Sequence, residues 1–183
     1  MIARLASQNA HKLEELRAAL PDWRLELLGA DEFPPEDGET YYENARGKAE
    51  FGRSVAGPQE WTIGEDSGIE LSALGGRPGV QSARWADDGV ARALEELAGA
   101  DDRRARYVCD LVALAPGGVE RRGTGILEGT ISAEPAGDEG FGYDPIFIPD
   151  GETQTVAELG NAWKREHSHR ARAARALHSA FQT

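Results

Sequence analysis

The 183-residue sequence contains a single cysteine, Cys109, and lacks any apolar run long enough to cross a membrane. One cysteine excludes an internal disulfide and a zinc site built from several thiolates. A membrane-spanning helix needs about 18–20 consecutive apolar residues. The mean hydropathy of the whole chain, −0.51, is that of a hydrophilic sequence. The first residues also lack the long apolar segment of a secretory signal peptide. We therefore expect a soluble, cytoplasmic protein without a membrane partner.

Positive charge is also scarce in this sequence. The 20 Lys and Arg residues are outnumbered by 32 Asp and Glu residues, which gives a net charge of −12. An acidic surface repels the nucleic-acid backbone, so the composition argues against a DNA or RNA partner. The acidity is typical of a soluble surface, and a small anionic ligand would require the few cations to gather locally.

The length and the hydrophobic pattern predict one domain over residues 1–183 with a mixed α/β fold. The predicted strands cover residues 2–6, 24–29, 61–64, 69–74, 105–115 and 123–132, and the glycine-rich segment 137–151 leads into a further short apolar strand. The predicted helices start after residue 9 and cover residues 41–55, 90–98 and 168–181. Ligands of such folds favour the carboxyl ends of strands, so polar residues at those ends are the first candidates for a site.

The segment SQNAHK, residues 7–12, connects the first predicted strand to the first helix. A helix N-terminus offers free N–H groups and a positive dipole end, which favour anions. Ser7, Asn9 and Lys12 add donors to it. An ordinary helix cap is the better interpretation when the segment is taken alone. Neither a Walker loop nor the dinucleotide glycine pattern occurs in the sequence.

Two adjacent acids, Glu65 and Asp66, stand at the predicted end of a strand and precede Ser67 and a glycine. Carboxylates in such a place are typical ligands of a hard cation such as Mg²⁺. A turn capped by Asp66 is the alternative. Two neighbouring acids repel one another unless a cation lies nearby, which favours the metal site.

The segment EDGETYYENARGK, residues 36–48, contains a loop acid, Glu36, and a helix that carries Glu43 and Lys48. Thr40 and Glu43 have the spacing of a capping box, which predicts the start of this helix. Taken alone, the charged residues of this segment are typical of a solvated helix surface.

Two further segments suggest recognition of a base. Residues 141–145, FGYDP, offer rings for stacking and a carboxylate acceptor, although aromatic residues also anchor buried loops. Residues 164–170, KREHSHR, place cations at the start of the last helix, where they oppose the helix dipole. This arrangement suggests a bound anion or acceptor, and the alternative is a plain surface cluster.

Together, these segments supply donors for phosphates, carboxylates for Mg²⁺ and a stacking site for a base. The sequence resembles the inosine/xanthosine triphosphate pyrophosphatase family nearly from end to end. Five ordered motifs carry the resemblance: SQNAHKLEELRAAL, EDGETYYENARGKA, EDSGIELSALGGRPGVQSARWA, GFGYDPIFIPDGETQTVAEL and SHRARAARAL.

The resemblance implies an elongated mixed β-sheet flanked by helices, with two lobes around a deep nucleotide-binding cleft, and a homodimer. It implies Mg²⁺-dependent hydrolysis of ITP, dITP and XTP to the monophosphate and pyrophosphate, which cleanses the nucleotide pool. The implied catalytic residues are Lys12, Lys48 and Asp66, and the implied metal ligands are Glu36 and Asp66. The implied substrate-binding residues are Ser7, Asn9, Lys12, Ser67, Phe141, Gly142, Tyr143, Asp144, Lys164, His169 and Arg170.

Two residues depart from the family pattern. Gln8 stands where the family usually has glycine, so we expect a different shape for the first turn. Glu65 stands where bacterial members usually have aspartate, and we expect its longer side chain to shift the metal geometry.

Two other functions fit part of the sequence. One is a septum-inhibitor-like nucleotide pyrophosphatase of related fold with another base preference, against which the FGYD and SHR motifs argue. The other is a non-hydrolytic nucleotide-binding protein. The presence of Lys12, Lys48 and Asp66 argues against this second alternative, whereas Gln8 and Glu65 leave room for it.

Overall fold

A computed structural model describes residues 1–181 of the chain. Its strands are β1 (Ile2–Leu5), β2 (Arg24–Leu27), β3 (Trp61–Leu71), β4 (Arg104–Leu114), β5 (Glu120–Ile131) and β6 (Phe147–Pro149). They form one sheet in the order β2-β1-β3-β4-β5-β6. β1 pairs in parallel with β2 and β3, whereas β5 and β6 are antiparallel. The predicted mixed sheet is confirmed.

The α-helices of the described residues are α1 (Ala10–Ala19), α2 (Tyr41–Ala56), α3 (Gly89–Glu96), α4 (Val156–His167) and α5 (His169–Ser179). Short 3₁₀ helices cover Ser72–Leu74, Gly79–Arg84 and Asp144–Ile146. Among the helices found in residues 1–181, none has the length and apolar character that a membrane span requires.

Local capping residues explain where the helices begin. The Thr40 side chain accepts the Glu43 backbone N–H, and the Glu43 carboxylate accepts the Thr40 N–H, so the predicted capping box starts α2. Asn9 caps α1 through its side-chain oxygen. A second capping box, formed by Thr155 and Glu158, starts α4, a helix that the sequence pattern did not predict.

β3 differs from its prediction because it is one continuous strand over Trp61–Leu71 rather than two short ones. Glu65 and Asp66 therefore lie inside a strand, and the prediction that they end one is wrong. The strand is buried along most of its length, and both carboxylates are buried with it. Buried charges are stable only when they are paired, so each acid must have its own partners.

The backbone divides into two compact units, to both of which β3, β4 and β5 contribute residues. The first unit comprises residues 1–66, 109–125 and the chain from residue 169 onwards. The second unit comprises residues 67–108 and 126–168. The single domain over residues 1–183 and the cleft between two lobes stay predictions.

Helices cover both faces of the sheet in the first unit. On one face, Leu111 and Ala113 of β4 belong to the same core cluster as residues of α1 and α5. On the other face, Val112 of β4 packs with Ala45 and Ala49 of α2. Neighbouring strand residues point to opposite faces, so β4 contributes to both cores.

A separate apolar core fills the second unit. It contains residues of β3, α3, β4, β5, β6 and α4, among them Ile69, Ala93, Leu127, Phe147 and Val156.

Candidate active site

The Asp66 carboxylate is held by two side chains of α2. Its Oδ1 accepts a hydrogen bond from Lys48 Nζ at 3.0 Å, and its Oδ2 accepts one from Asn44 Nδ2 at 3.0 Å. Burial raises the pKa of Asp66, and the Lys48 ammonium offsets part of this shift. A carboxyl group with a raised pKa has a higher proton affinity than an exposed one.

Lys48 joins Asp66 to the loop that precedes α2. Its ammonium forms ion pairs with Asp66 and Glu36 and donates to the Glu65 backbone oxygen at 2.9 Å. Burial acts to lower the pKa of Lys48, but the carboxylates of Asp66, Glu65 and Glu36 outweigh it and raise the pKa. Lys48 therefore remains a cation, and its position marks a place where two carboxylates converge.

Glu36 and Asp66 fit a hard divalent cation. They already converge on one positive charge, the Lys48 ammonium, and carboxylate oxygens are the ligands that Mg²⁺ prefers. Within residues 1–181, no group of three or more His, Cys, Asp or Glu side chains is arranged to hold a metal. Two carboxylates are the usual protein share when substrate phosphates and water complete the metal's coordination.

The two other acids near this site are engaged elsewhere. The Glu43 carboxylate accepts the backbone N–H groups of Glu39 and Thr40 at 2.9 and 3.0 Å. The Glu65 carboxylate lies on the opposite face of β3, where it contacts the cations of α1 and α5. In this structure, Glu43 therefore caps α2, and Glu65 pairs with cations of α1 and α5.

Asn44 is a residue of this site that the sequence reasoning missed. Its Oδ1 accepts the Gly38 backbone N–H at 2.9 Å, while its amide nitrogen donates to Asp66. It thereby ties the loop that carries Glu36 to the strand that carries Asp66. Asn44 lies inside the ENA motif, but an uncharged amide gave no chemical reason to select it.

A cavity of about 270 Å³ lies beside these residues in the first unit. It is lined by Pro34, Pro35, Glu36, Asp37, Gly38, Glu43, Asn44, Gly47 and Lys48. The predicted metal ligand Glu36 and the predicted catalytic residue Lys48 therefore border one open space.

Glu65 is the centre of a second charged cluster in the same unit. Its Oε2 accepts a hydrogen bond from Lys12 Nζ at 2.6 Å, and its Oε1 accepts one from Arg170 Nε at 3.0 Å. Arg170 Nη1 donates in turn to Glu15 Oε2 at 2.8 Å. Burial acts to raise the pKa of Glu65, but Lys12, Arg170 and Lys48 outweigh it and hold the pKa well below its usual value.

Ser7 and Asn9 act locally at the start of α1. Asn9 Oδ1 accepts the backbone N–H groups of His11 and Lys12 at 2.9 and 3.2 Å, and Ser7 Oγ accepts the Asn9 N–H at 3.1 Å. No non-glycine residue among residues 1–181 has a positive φ, so Gln8 fits the turn in an ordinary backbone conformation. The absence of glycine at this position therefore causes no left-handed strain.

The second unit contains another buried ion pair. Lys164 Nζ donates to Asp144 Oδ2 at 2.7 Å and lies 4.2 Å from the centroid of the Phe141 ring. The Asp144 carboxylate also accepts the Phe141 N–H at 2.8 Å and the Tyr107 hydroxyl at 3.2 Å. Tyr107, which the sequence reasoning missed, lies 37 residues before Asp144, and no local signal connects the two.

The remaining predicted substrate residues have different surroundings. Tyr143 is buried, its hydroxyl donates to the Ser82 oxygen at 2.9 Å, and burial raises its pKa to about 12. Gly142 has a left-handed φ of 64°. Ser67 follows Asp66 on β3 and belongs to the second unit, whereas His169 begins α5 in the first unit.

Comparison with known proteins finds one family model and relatives that share a single name. A model of the Ham1 family matches residues 3–180. The dITP/XTP pyrophosphatase of Bdellovibrio bacteriovorus is 42% identical over 98% of this chain and 96% of its own length. The dITP/XTP pyrophosphatase of Gloeobacter violaceus is 43% identical over 94% of this chain and 90% of its own length.

A solved structure has the same fold. The Staphylococcus aureus Ham1 protein superposes with a TM-score of 0.87 at 32% identity, covering 100% of this chain and 98% of that protein.

Proposed function

Because the chain belongs to the Ham1 family, we propose that it hydrolyses the deaminated purine nucleoside triphosphates ITP, dITP and XTP to the monophosphate and pyrophosphate. The family resemblance predicted from the motifs is confirmed. Relatives that carry the name dITP/XTP pyrophosphatase match nearly the whole chain at 42–43% identity. They support the reaction class as well as the class of substrate.

The observation that carries the site assignment is the convergence of Glu36 and Asp66 on Lys48. We assign the two carboxylates to metal binding and Lys48 to the phosphates. Lys12, whose side chain is 19% exposed, is the second proposed phosphate ligand. At the start of α1, the Ser7 hydroxyl and the Asn9 side-chain amide group are the further donors that we propose for the same anion.

Nucleotide pyrophosphatases generally depend on a metal, and Mg²⁺ is the ion that we propose. When bound, Mg²⁺ would neutralise part of the triphosphate charge. Glu36 and Asp66 supply the hard oxygen ligands that this ion requires.

The proposed reaction is attack of a water molecule on the α-phosphorus. The water oxygen forms a new bond to this phosphorus, and the bond to the oxygen that bridges to the β-phosphorus breaks. The electron pair of that bond leaves with pyrophosphate, while Asp66 accepts a proton from the water. Lys12 and Lys48 stabilise the negative charge that develops on the leaving group, the main requirement of phosphoryl transfer.

We propose that the ion pair of Lys164 and Asp144 in the second unit recognises the base together with the residues around it. The Phe141 ring offers a stacking surface beside the Lys164 ammonium, a donor that suits the 6-keto oxygen of hypoxanthine or xanthine. Asp144 fixes Lys164 and thereby sets the direction of its N–H donors. Gly142 and Tyr143 shape the same loop, and Ser67, His169 and Arg170 keep their predicted substrate contacts as part of this proposal.

An isotope experiment tests the reaction. The protein is incubated with ITP and Mg²⁺ in H₂¹⁸O, and the products are analysed by mass spectrometry. We expect IMP and pyrophosphate in equal amounts, with the ¹⁸O in IMP. Label in pyrophosphate would place the attack on the β-phosphorus and contradict the proposed mechanism. Binding of ITP without any product would identify a non-hydrolytic nucleotide-binding protein.

The homodimer and the cytoplasmic location stay predictions that accompany this function. Sedimentation of the purified chain tests the first of them.

A further inference from the structure

A chain of four charges joins three elements of the first unit. Lys12 and Glu15 lie three residues apart on α1, Glu65 lies on β3 and Arg170 lies on α5. The contacts run from Lys12 to Glu65, from Glu65 to Arg170 and from Arg170 to Glu15, at 2.6, 3.0 and 2.8 Å. Glu65 is the central member, because each of its two carboxylate oxygens contacts a different cation.

This charge chain is buried. The side chains of Glu65 and Arg170 are 0% and 3% exposed, and that of Glu15 is 10% exposed. A folded protein is strongly destabilised when one partner of a buried ion pair is lost. We therefore expect these contacts to persist in the folded state. The outer end, the Lys12 side chain, is the most exposed of the four, with an exposed fraction of 19%.

The position of Glu65 separates it from the metal ligands. Its carboxylate faces Lys12 and Arg170, whereas the Asp66 carboxylate faces Lys48 and Asn44. Lysine carries its charge at the end of a flexible four-carbon chain, so a fixed carboxylate at 2.6 Å restricts where the ammonium lies.

We propose that Glu65 is a positioning residue that holds the Lys12 ammonium and the Arg170 guanidinium in place and does not bind the metal. This inference rests on the proposed function, since it assigns the effect of Glu65 to the phosphate ligand Lys12. Glu15 completes the arrangement by fixing the other side of Arg170. Glu65, which stands in place of the family's aspartate, would thus affect the proposed phosphate ligand Lys12 and not the geometry of the metal site.

Glu65→Gln tests the proposal, with Glu26→Gln as the matched control. Both substitutions remove a carboxylate that pairs with two cations in the first unit, and Glu26 pairs with Arg4 and Arg24 away from the site. We expect kcat/KM for ITP to fall about tenfold or more in Glu65→Gln, the usual loss when a supporting contact is removed. The control should stay within about twofold of the unmodified protein, as surface ion pairs contribute little.

Three readouts separate positioning from other roles of Glu65. The Mg²⁺ concentration for half-maximal rate should be unchanged in Glu65→Gln, and an increase of about tenfold would identify Glu65 as a metal ligand. Calorimetry with inorganic pyrophosphate should show weaker binding in this variant and unchanged binding in the control. A rise in kcat/KM would show that Glu65 only neutralises Lys12, which would overturn the proposal.

A double-mutant cycle tests whether Glu65 acts through Lys12. In a Lys12→Met background, Glu65→Gln should lower kcat/KM by less than it does alone, because only its contact with Arg170 is then left to lose. A full additional loss in that background would overturn the proposal.

Glu65→Asp covers the case in which Glu65→Gln does not fold. It retains the charge, but its side chain is one methylene shorter, so Lys12 and Arg170 must shift if both contacts are to be kept. We expect a folded protein in which kcat/KM falls at least about threefold, and an unchanged value would contradict the proposal. Absence of ITP hydrolysis by the unmodified protein would instead refute the proposed function.

Discussion

Glu65 and Asp66 are neighbours in the sequence but serve different cations. Side chains of successive strand residues point to opposite faces, so β3 directs Glu65 towards Lys12 and Asp66 towards Lys48. The repulsion expected between adjacent acids is relieved by two separate ion pairs rather than by one shared metal. Substitutions of the two acids should therefore have different consequences.

The first residue-level prediction concerns Asp66→Asn. The amide keeps the shape of the side chain but removes the proposed proton acceptor and a metal ligand. We expect the turnover of ITP to fall about 10²-fold or more. Asp102→Asn is the matched control, because Asp102 pairs with Arg104 on an exposed part of the second unit. Turnover close to that of the unmodified protein in a folded Asp66→Asn variant would remove Asp66 from the mechanism.

The second residue-level prediction concerns the thiol. Cys109 is fully buried, and burial, followed by the Glu65 carboxylate, raises its pKa well above the usual value. Since the thiolate is the reactive form, we expect no reaction of the native protein with a thiol reagent at pH 8. One thiol per chain should react in guanidinium chloride. Rapid labelling of the native protein would show that the core around Cys109 opens.

At the level of elements, the sequence predicts those parts of the fold that depend on local contacts. Thr40 and Glu43 mark the start of α2 because a capping box involves residues only three apart. β3 was divided wrongly because Asp66, Ser67 and Gly68 have low strand propensity, and pairing within the sheet overrides it. α4 was missed because Gly160, with a φ of 82°, interrupts its helical pattern.

In the candidate site, too, the sequence predicts what local motifs determine but not what the fold brings together. Motifs identify Lys12, Lys48 and Asp66 because they are charged residues in a recognisable order. The contact between Arg170 and Glu15 joins residues 155 positions apart, and only the folded chain brings them together. The sequence therefore indicates which charged residues belong to a candidate site, whereas the contacts between them are seen only in the folded chain.

The prediction at this level concerns Gly64, which lets α2 approach β3. A Cβ atom on Gly64 would lie 1.8 Å from the Ala45 oxygen and 2.6 Å from the Ala49 nitrogen, so Gly64→Ala must displace α2. We expect the free energy of unfolding to fall by about 1–3 kcal/mol, and activity to fall because α2 carries Lys48. Urea titration measures the first effect and pyrophosphate release the second.

Gly29→Ala is the control for this substitution, because a Cβ atom at Gly29 would have no neighbour within 4 Å. Equal stability of the two alanine variants would show that α2 does not lie as close to β3 as the structure indicates.

On the scale of the whole molecule, the net charge of −12 is reconciled with an anionic substrate by the local placement of cations. Lys48, Lys164 and Arg170 are buried, and each is paired with a carboxylate. Lys12 and Lys48 lie in the first unit, where phosphate binding is proposed, whereas Lys164 lies beside an aromatic ring in the second. The residues proposed for phosphate binding and those proposed for base recognition thus belong to different units, an arrangement that would allow selectivity among triphosphates.

The measurement that tests the central claim most directly is kcat/KM for pyrophosphate release from ITP, XTP, GTP and ATP at fixed Mg²⁺. Hypoxanthine and xanthine present an acceptor at C6, whereas adenine presents an amino donor that would face the Lys164 donor. A site built on hydrogen bonds can discriminate by up to about 10⁴-fold. We predict values for ITP and XTP above that for GTP, which shares the C6 oxygen and must be disfavoured through its 2-amino group, with ATP the poorest substrate. Equal values for ATP and ITP would contradict the proposed hydrolysis of deaminated purine nucleotides as the specific function of this protein.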